Sequence, residues 1–236
     1  MRFGMPLCFW KPKMAYLGLY PDNLIVESTA TEPAVPPDRL NVDWLRTRFA
    51  SPVEWEKEHI DEQPLKRGLS RWIKAGVMVP LVLRGEAELT LMFTRRALHL
   101  QDHAGQVSFP GGRVDLTDIS PIQTALREME EEVGVKRERI EVLGTLPEYR
   151  TGSGFSMIPV VGVVRYPFDL QVDADEVDEV FEVPLSFLMT GSNHERVSAT
   201  FPRIGRRFFY AIRYNRHFIW GATAGVLRNL FHFMRA

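Results

Sequence analysis

The glycine pair Gly111-Gly112 is followed, fifteen residues on, by Arg127-Glu128-Met129-Glu130-Glu131-Glu132-Val133-Gly134, a run with four carboxylates in five residues. Its boundary signals predict a helix. Ser120 can cap the first turn, Pro121 suits the first helical position, and Gln123 completes a capping-box pattern. Gly134 is placed to end the helix in a left-handed conformation. At about 100° per residue, Ile122, Ala125, Leu126, Met129 and Val133 share a core-facing arc. Glu128, Glu131 and Glu132 share a neighbouring arc, and Glu130 is expected to point away into solvent.

That convergence opposes the helix. Glu128 lies three and four residues from Glu131 and Glu132, and each like-charge pair costs about 0.2–0.5 kcal/mol. The negative end of the helix dipole adds perhaps 0.3–1 kcal/mol per carboxylate. Arg127, four residues before Glu131, offsets part of this. A cation is the missing counterweight, and magnesium or manganese suits a set of carboxylate and phosphate oxygens. The turn Phe109-Pro110-Gly111-Gly112 allows close backbone approach and leaves N–H and C=O groups free for metal or phosphate.

The elements that must hold these groups are short. Val77–Leu83 and Leu89–Phe93 read as strands around a turn at Arg84-Gly85-Glu86, and Ile140–Leu146, Met157–Tyr166 and Phe208–Tyr214 read as three more. A helix is expected within Asp38–Ala50, a second over 54–73, and a terminal one over Trp220–Met234 with Ala222, Val226, Leu227, Leu230, Phe231 and Met234 on one face. Thr29 to Pro37 reads as a linker or extended arm. Strands flanking a central helix, with another helix closing the chain, indicate an α/β fold in mixed layers. The expected division is an N-terminal extension over 1–74 and a catalytic domain over 75–236.

The 236 residues suffice for a full core, and the net charge of −1 gives no whole-chain field for nucleic acid or an anionic membrane. Charge is nevertheless segregated: residues 172–195 carry seven acids and no Lys or Arg, and 196–236 carry eight arginines and no acid. These segments either neutralise each other or leave arginines facing an anionic substrate. The single cysteine, Cys8, excludes an intramolecular disulfide framework. The apolar patch Met5 to Trp10 lacks the length and cleavage site of a signal peptide, and no run approaches the roughly 20 apolar residues of a membrane span. A cytoplasmic protein without nucleic-acid or membrane partners is expected.

The pattern Gly112-x5-Asp118-x8-Arg127-Glu128-Met129-x-Glu131-Glu132-x-Gly134-Val135 resembles the Nudix box of hydrolases that cleave nucleoside diphosphates linked to another group. The family motif has Glu at the position of Asp118 and one residue fewer before the arginine. Upstream, Met92-Phe93-Thr94-Arg95-Arg96-Ala97-x3-Gln101-x3-Gly105-x3-Phe109-Pro110-Gly111-Gly112 looks like the motif of the coenzyme A pyrophosphatase branch, which has Arg where this chain has Gln101. His103 to Gly112, Ser153-Gly154-Phe155 and Ile219 to Thr223 are similar to the same branch. The resemblance spans roughly 75–235 and implies a Nudix-type α/β/α sandwich with a mixed sheet.

The resemblance implies hydrolysis of coenzyme A or acyl-coenzyme A to 3′,5′-ADP and 4′-phosphopantetheine or its acyl form, with Mg2+ or Mn2+ on Glu128, Glu131 and Glu132. ADP-ribose, NADH or a dinucleoside polyphosphate needs only a changed pocket, and a non-catalytic nucleotide-binding module is the third alternative. Arg127 is expected to orient a glutamate. Arg96 is the first candidate for a substrate phosphate, against a surface salt bridge at a strand end. His103 either bonds the loop or substrate or packs locally, Phe155 either stacks on a base or joins the core, and Trp220 is a packing anchor. Gln101, Gly111 and Gly112 complete the expected substrate contacts. The general base stays open among a metal-activated hydroxide, a helix glutamate and an acid of 173–182, and a homodimer stays open as an assembly.

Overall fold

The computed structural model describes residues 24–51, 53–58, 72–84, 88–201 and 205–236. Its strands are β1 (Ile25–Thr29), β2 (Ile73–Leu83), β3 (Thr90–Arg96), β4 (Val107–Ser108), β5 (Gly111–Arg113), β6 (Ile140–Thr145), β7 (Tyr149–Arg150), β8 (Phe155–Arg165), β9 (Val177–Pro184), β10 (Glu195–Phe201), β11 (Gly205–Tyr214) and β12 (His217–Trp220). The α-helices are α1 (Val42–Ala50), α2 (Pro121–Val133), α3 (Leu185–Leu188) and α4 (Ala222–Arg235). Cys8, the patch Met5 to Trp10 and the turn residues Gly85 and Glu86 lie outside the described residues.

The larger sheet is organised around β2 and β8, which pair in parallel from Ile73 opposite Phe155 to Leu83 opposite Arg165. A parallel pair needs a long crossover, and here that crossover carries β3 to β7 and helix α2. β2 is apolar on both faces because both are covered. Val77, Val79 and Leu81 join one core cluster with α1 and α4. Met78 and Val82 join another with Ala125, Met129 and Val133 of α2. Each such large side chain, fully buried, contributes about 1.5–3 kcal/mol. Helices thus cover both faces of a mixed sheet, as expected for an α/β/α sandwich. A second, antiparallel sheet runs β1-β10-β11-β12.

All five expected strands are present, with β2 starting earlier and β3 reaching Arg96. The first helix starts at Val42 rather than Asp38, because the Asn41 side chain accepts the Trp44 N–H and caps it there. The terminal helix begins at Ala222, and Trp220 ends β12, because Gly221 takes a positive φ of 61° and breaks the strand. Trp220 is buried as the expected anchor, against Phe209. No helix covers the described ends of 54–73: residues 53–58 are irregular and Ile73 opens β2, while 59–71 lie outside the described residues. The arm after β1 packs against the body, with Val35 buried and its N–H donating to the Met189 carbonyl at 2.9 Å.

The segregated charges pair in part with each other and in part with the N-terminal segment. Arg213 meets Glu195 and Arg216 meets Glu179, whereas Arg206 meets Glu27 and Arg228 meets Glu32. Among the described residues no helix is long and apolar enough to cross a membrane.

Candidate active site

Helix α2 forms where its local signals place it. The Ser120 hydroxyl accepts the Gln123 N–H at 3.3 Å, and the Gln123 side chain returns to accept the Ile119 N–H at 3.0 Å. Gly134 closes the helix at φ 81°. The helix docks closely because Gly76 of β2 has no side chain: a Cβ there would stand 2.1 Å from the Pro121 carbonyl oxygen.

The two glycines of the turn serve different purposes, and neither has a positive φ. β5 pairs with β2 so that Gly112 lies opposite Gly76 and Gly111 opposite Val77. A Cβ on Gly111 would meet the Gly76 oxygen and the Val77 Cα, both at 2.6 Å, so glycine permits the strand pairing. A Cβ on Gly112 would fall 2.3 Å from Glu128 Oε1, so this glycine makes room for a carboxylate.

Glu132 is the buried member of the acidic arc, 4% exposed, and its Oε2 has no hydrogen-bond partner. Burial pushes its pKa up to about 8, with the charge of Glu128 acting in the same direction; Arg96 and the Gly111 N–H draw it back. Glu128 is also raised, by burial, against the pull of Arg127. Glu131 is 57% exposed in its side chain and is held by Arg127 Nη1 at 2.7 Å. Glu130 faces away as expected and stays partly exposed, at 18% of its side chain. Arg137 takes its Oε2 at 2.5 Å, because the chain after Gly134 turns back and lays that arginine along the helix.

Arg127 ties the acids of the site together. Its guanidinium reaches Asp118 at 2.9 Å, Glu128 at 2.9 Å and Glu131, and donates to the Arg113 carbonyl at 3.2 Å. Asp118 is held down to about 2, first by the Arg127 hydrogen bond, and it also accepts from Thr124. The shorter acid and the extra loop residue thus still reach the helix.

Arg96 ends β3 near enough to lower the Glu132 pKa, and its backbone anchors the following loop through Gln106 and Gly105. His103 sits in that loop at φ 58° with Nδ1 2.8 Å from Gln106 Oε1, a local contact. Gln101 is exposed. Phe155 opens β8 half-buried, outside the core clusters, with the Arg113 guanidinium 5.5 Å from its ring.

The sequence leaves the acid of 173–182 unassigned and gives Thr223 no role. Glu176 acts electrostatically on both Glu128 and Glu132, and its carbonyl accepts the Ala97 N–H, joining the β9 approach to the loop after Arg96. Other acids of that segment, Asp178, Glu179 and Glu182, are paired with arginines. Thr223 of α4 donates to the Val107 carbonyl at 3.1 Å and so braces β4. Only the coarse motif around Thr223 hinted at this.

Among the described residues no three acid, histidine or cysteine side chains already form a ligand group. A hard divalent cation nevertheless suits the position: it would meet the unbonded oxygen of buried Glu132 and offset two adjacent carboxylates.

Residues 72–199 match the family model described as NUDIX domain. A Nudix hydrolase NudL of Shigella flexneri is 37% identical over 182 residues, covering 77% of this chain and 91% of that protein. NudL of Escherichia coli is 40% identical over 157 residues, covering 66% and 80%. Among solved structures, a MutT/nudix family protein from Enterococcus faecalis aligns with a TM-score of 0.44 at 18% identity, over 79% of this chain and 66% of that one.

Proposed function

We infer the substrate from one premise: the chain belongs to the Nudix hydrolases and is a pyrophosphohydrolase. The substrate on this reading is coenzyme A or an acyl derivative, cleaved at the diphosphate to 3′,5′-ADP and 4′-phosphopantetheine or its acyl form. The observation that carries the hydrolytic chemistry is the buried Glu132 carboxylate with one unbonded oxygen beside Glu128. Support for the coenzyme comes from the run Met92 to Gly112, in which β3 pairs with β4 and Arg96 lies near enough to Glu132 to lower its pKa.

Glu128, Glu131 and Glu132 would hold magnesium or manganese. The chemistry such an ion supplies when bound is neutralisation of the diphosphate oxygens and acidification of a water molecule. The chain's own residues position the reactants. Gly112 leaves space for the Glu128 carboxylate, Arg127 fixes Glu128 and Glu131 through Asp118, and Arg96 offers a guanidinium to a phosphate oxygen. Glu176, the acid nearest to these groups in effect from the 173–182 segment, is the protein's own candidate for accepting a proton from water.

Neutral Gln101, where the branch has an arginine, favours ADP-ribose, NADH or a dinucleoside polyphosphate as the rival substrate. A panel of these with magnesium separates the readings. Faster release of 3′,5′-ADP from coenzyme A than cleavage of the others supports the proposal, and the reverse ranking removes it.

A further inference from the structure

We propose that Arg113 is a specificity residue that takes a phosphate monoester on the ribose of the substrate's nucleotide half, with Phe155 as its support. The inference rests on the coenzyme A reading, because that coenzyme carries such a 3′-phosphate and ADP-ribose and NADH do not.

The placement begins with β5. Among the described residues this strand pairs only with β2. Its other edge faces the site: the Arg113 carbonyl accepts from Arg127 at 3.2 Å, and the Gly111 N–H lies close enough to Glu132 to draw its pKa down. The backbone of Arg113 is therefore fixed one residue, about 3.8 Å in Cα spacing, from the glycine that accommodates Glu128. Alternation along the strand sends Gly112 towards α2 and Arg113 to the opposite face. A nucleotide with its diphosphate at the β5 edge thus has the carboxylates on one side and Arg113 on the other.

The side chain has the properties such a role needs. It is exposed, and among the described residues no acid lies within 4.0 Å of its guanidinium. Arg127, which donates to the Arg113 carbonyl, is by contrast held by Asp118, Glu128 and Glu131. What Arg113 does contact is the Phe155 ring, at 5.5 Å. A guanidinium resting on an aromatic face keeps its in-plane N–H donors free, the geometry that grips a phosphate with two hydrogen bonds. Phe155 is itself held by strand pairing with Ile73 of β2. With Gln101 neutral, Arg113 supplies a positive charge that the upstream loop lacks.

The test is calorimetric binding of 3′,5′-ADP and of 5′-AMP to the wild-type protein, Arg113→Gln and Arg113→Lys. Wild type is expected to bind 3′,5′-ADP about 10- to 100-fold more tightly than 5′-AMP, the range for charge-assisted hydrogen bonds. Arg113→Gln should reduce that ratio to near unity by weakening 3′,5′-ADP alone, and Arg113→Lys should retain part of it. Phe155→Leu should lower the ratio by several fold. An unchanged ratio in Arg113→Gln overturns the proposal, as does equal weakening of both ligands with an unaltered melting temperature. Binding is independent of turnover, so the two readings fail separately. An Arg113-dependent ratio in a protein that prefers ADP-ribose removes the coenzyme A reading and keeps the phosphate site. Coenzyme A hydrolysis with an Arg113-independent ratio does the opposite.

Discussion

Substituting each glycine of the turn by alanine separates architecture from chemistry within two adjacent residues. In Gly112→Ala the new methyl carbon starts 2.3 Å from Glu128 Oε1 and 2.6 Å from its Cδ. The carboxylate must withdraw by roughly 0.7 Å or more to clear the 3.0 Å that real contacts respect. It is the end of a flexible side chain, so it can move, and the backbone conformation suits alanine. The stability change should stay within about 1 kcal/mol, with reduced freedom of the unfolded chain offsetting the crowding. Activity should not be spared, since a misplacement of about 1 Å at reacting groups costs roughly 100-fold. In Gly111→Ala the clash is with backbone and the Val77 Cα at 2.6 Å, which can relieve it only by parting β5 from β2. That overpacking should cost about 1–3 kcal/mol, or a melting-temperature drop of several degrees. Thermal unfolding and steady-state hydrolysis of both variants check the contrast. Full activity in Gly112→Ala, or a loss of stability equal to that of Gly111→Ala, refutes this assignment of the two glycines.

Two further outcomes follow from the ion pairs. Arg127→Lys replaces a fork that spans Asp118, Glu128 and Glu131 by a single ammonium, and turnover should fall about 10- to 100-fold, as for residues that orient metal ligands; initial rates at saturating magnesium check it. Away from the site, Glu58 accepts from Tyr210 and from His232 at 2.9 Å, and its pKa is held down to about 2, first by His232. Because the folded value lies below the unfolded 4.5, this stabilisation is complete above about pH 4.5 and is lost as pH falls towards 2. Glu58→Gln should therefore cost about 1–3 kcal/mol in urea unfolding at pH 7, with the gap to wild type narrowing in acid.

What the sequence reveals follows the range of the interactions. Helix α2 was legible with both ends because Ser120, Gln123 and Gly134 act within a turn of the residues they cap. The central strands were legible because apolar runs such as Val77 to Leu83 have few other uses. β9 was not, since its acids interrupt the apolar pattern: Val180, Phe181 and Val183 pack against the cores, while Glu179 and Glu182 between them meet arginines and Thr90. The parallel register of β2 on β8 was also hidden, because it joins residues some eighty positions apart through a crossover. In the site, the arc of Glu128, Glu131 and Glu132 came from helical spacing alone, but its division into buried and exposed members did not. That division depends on Arg127, Gly112 and the return of Glu176, contacts set by tertiary packing.

The most direct test of the account is the rate of coenzyme A hydrolysis by Glu132→Gln at saturating magnesium, read as 3′,5′-ADP released and compared with wild type. The amide keeps the volume of the buried side chain and removes its charge, so the fold should persist while the rate falls by orders of magnitude. Wild-type turnover in that variant would contradict the account, because the acidic edge of α2 would then not be the centre of the chemistry.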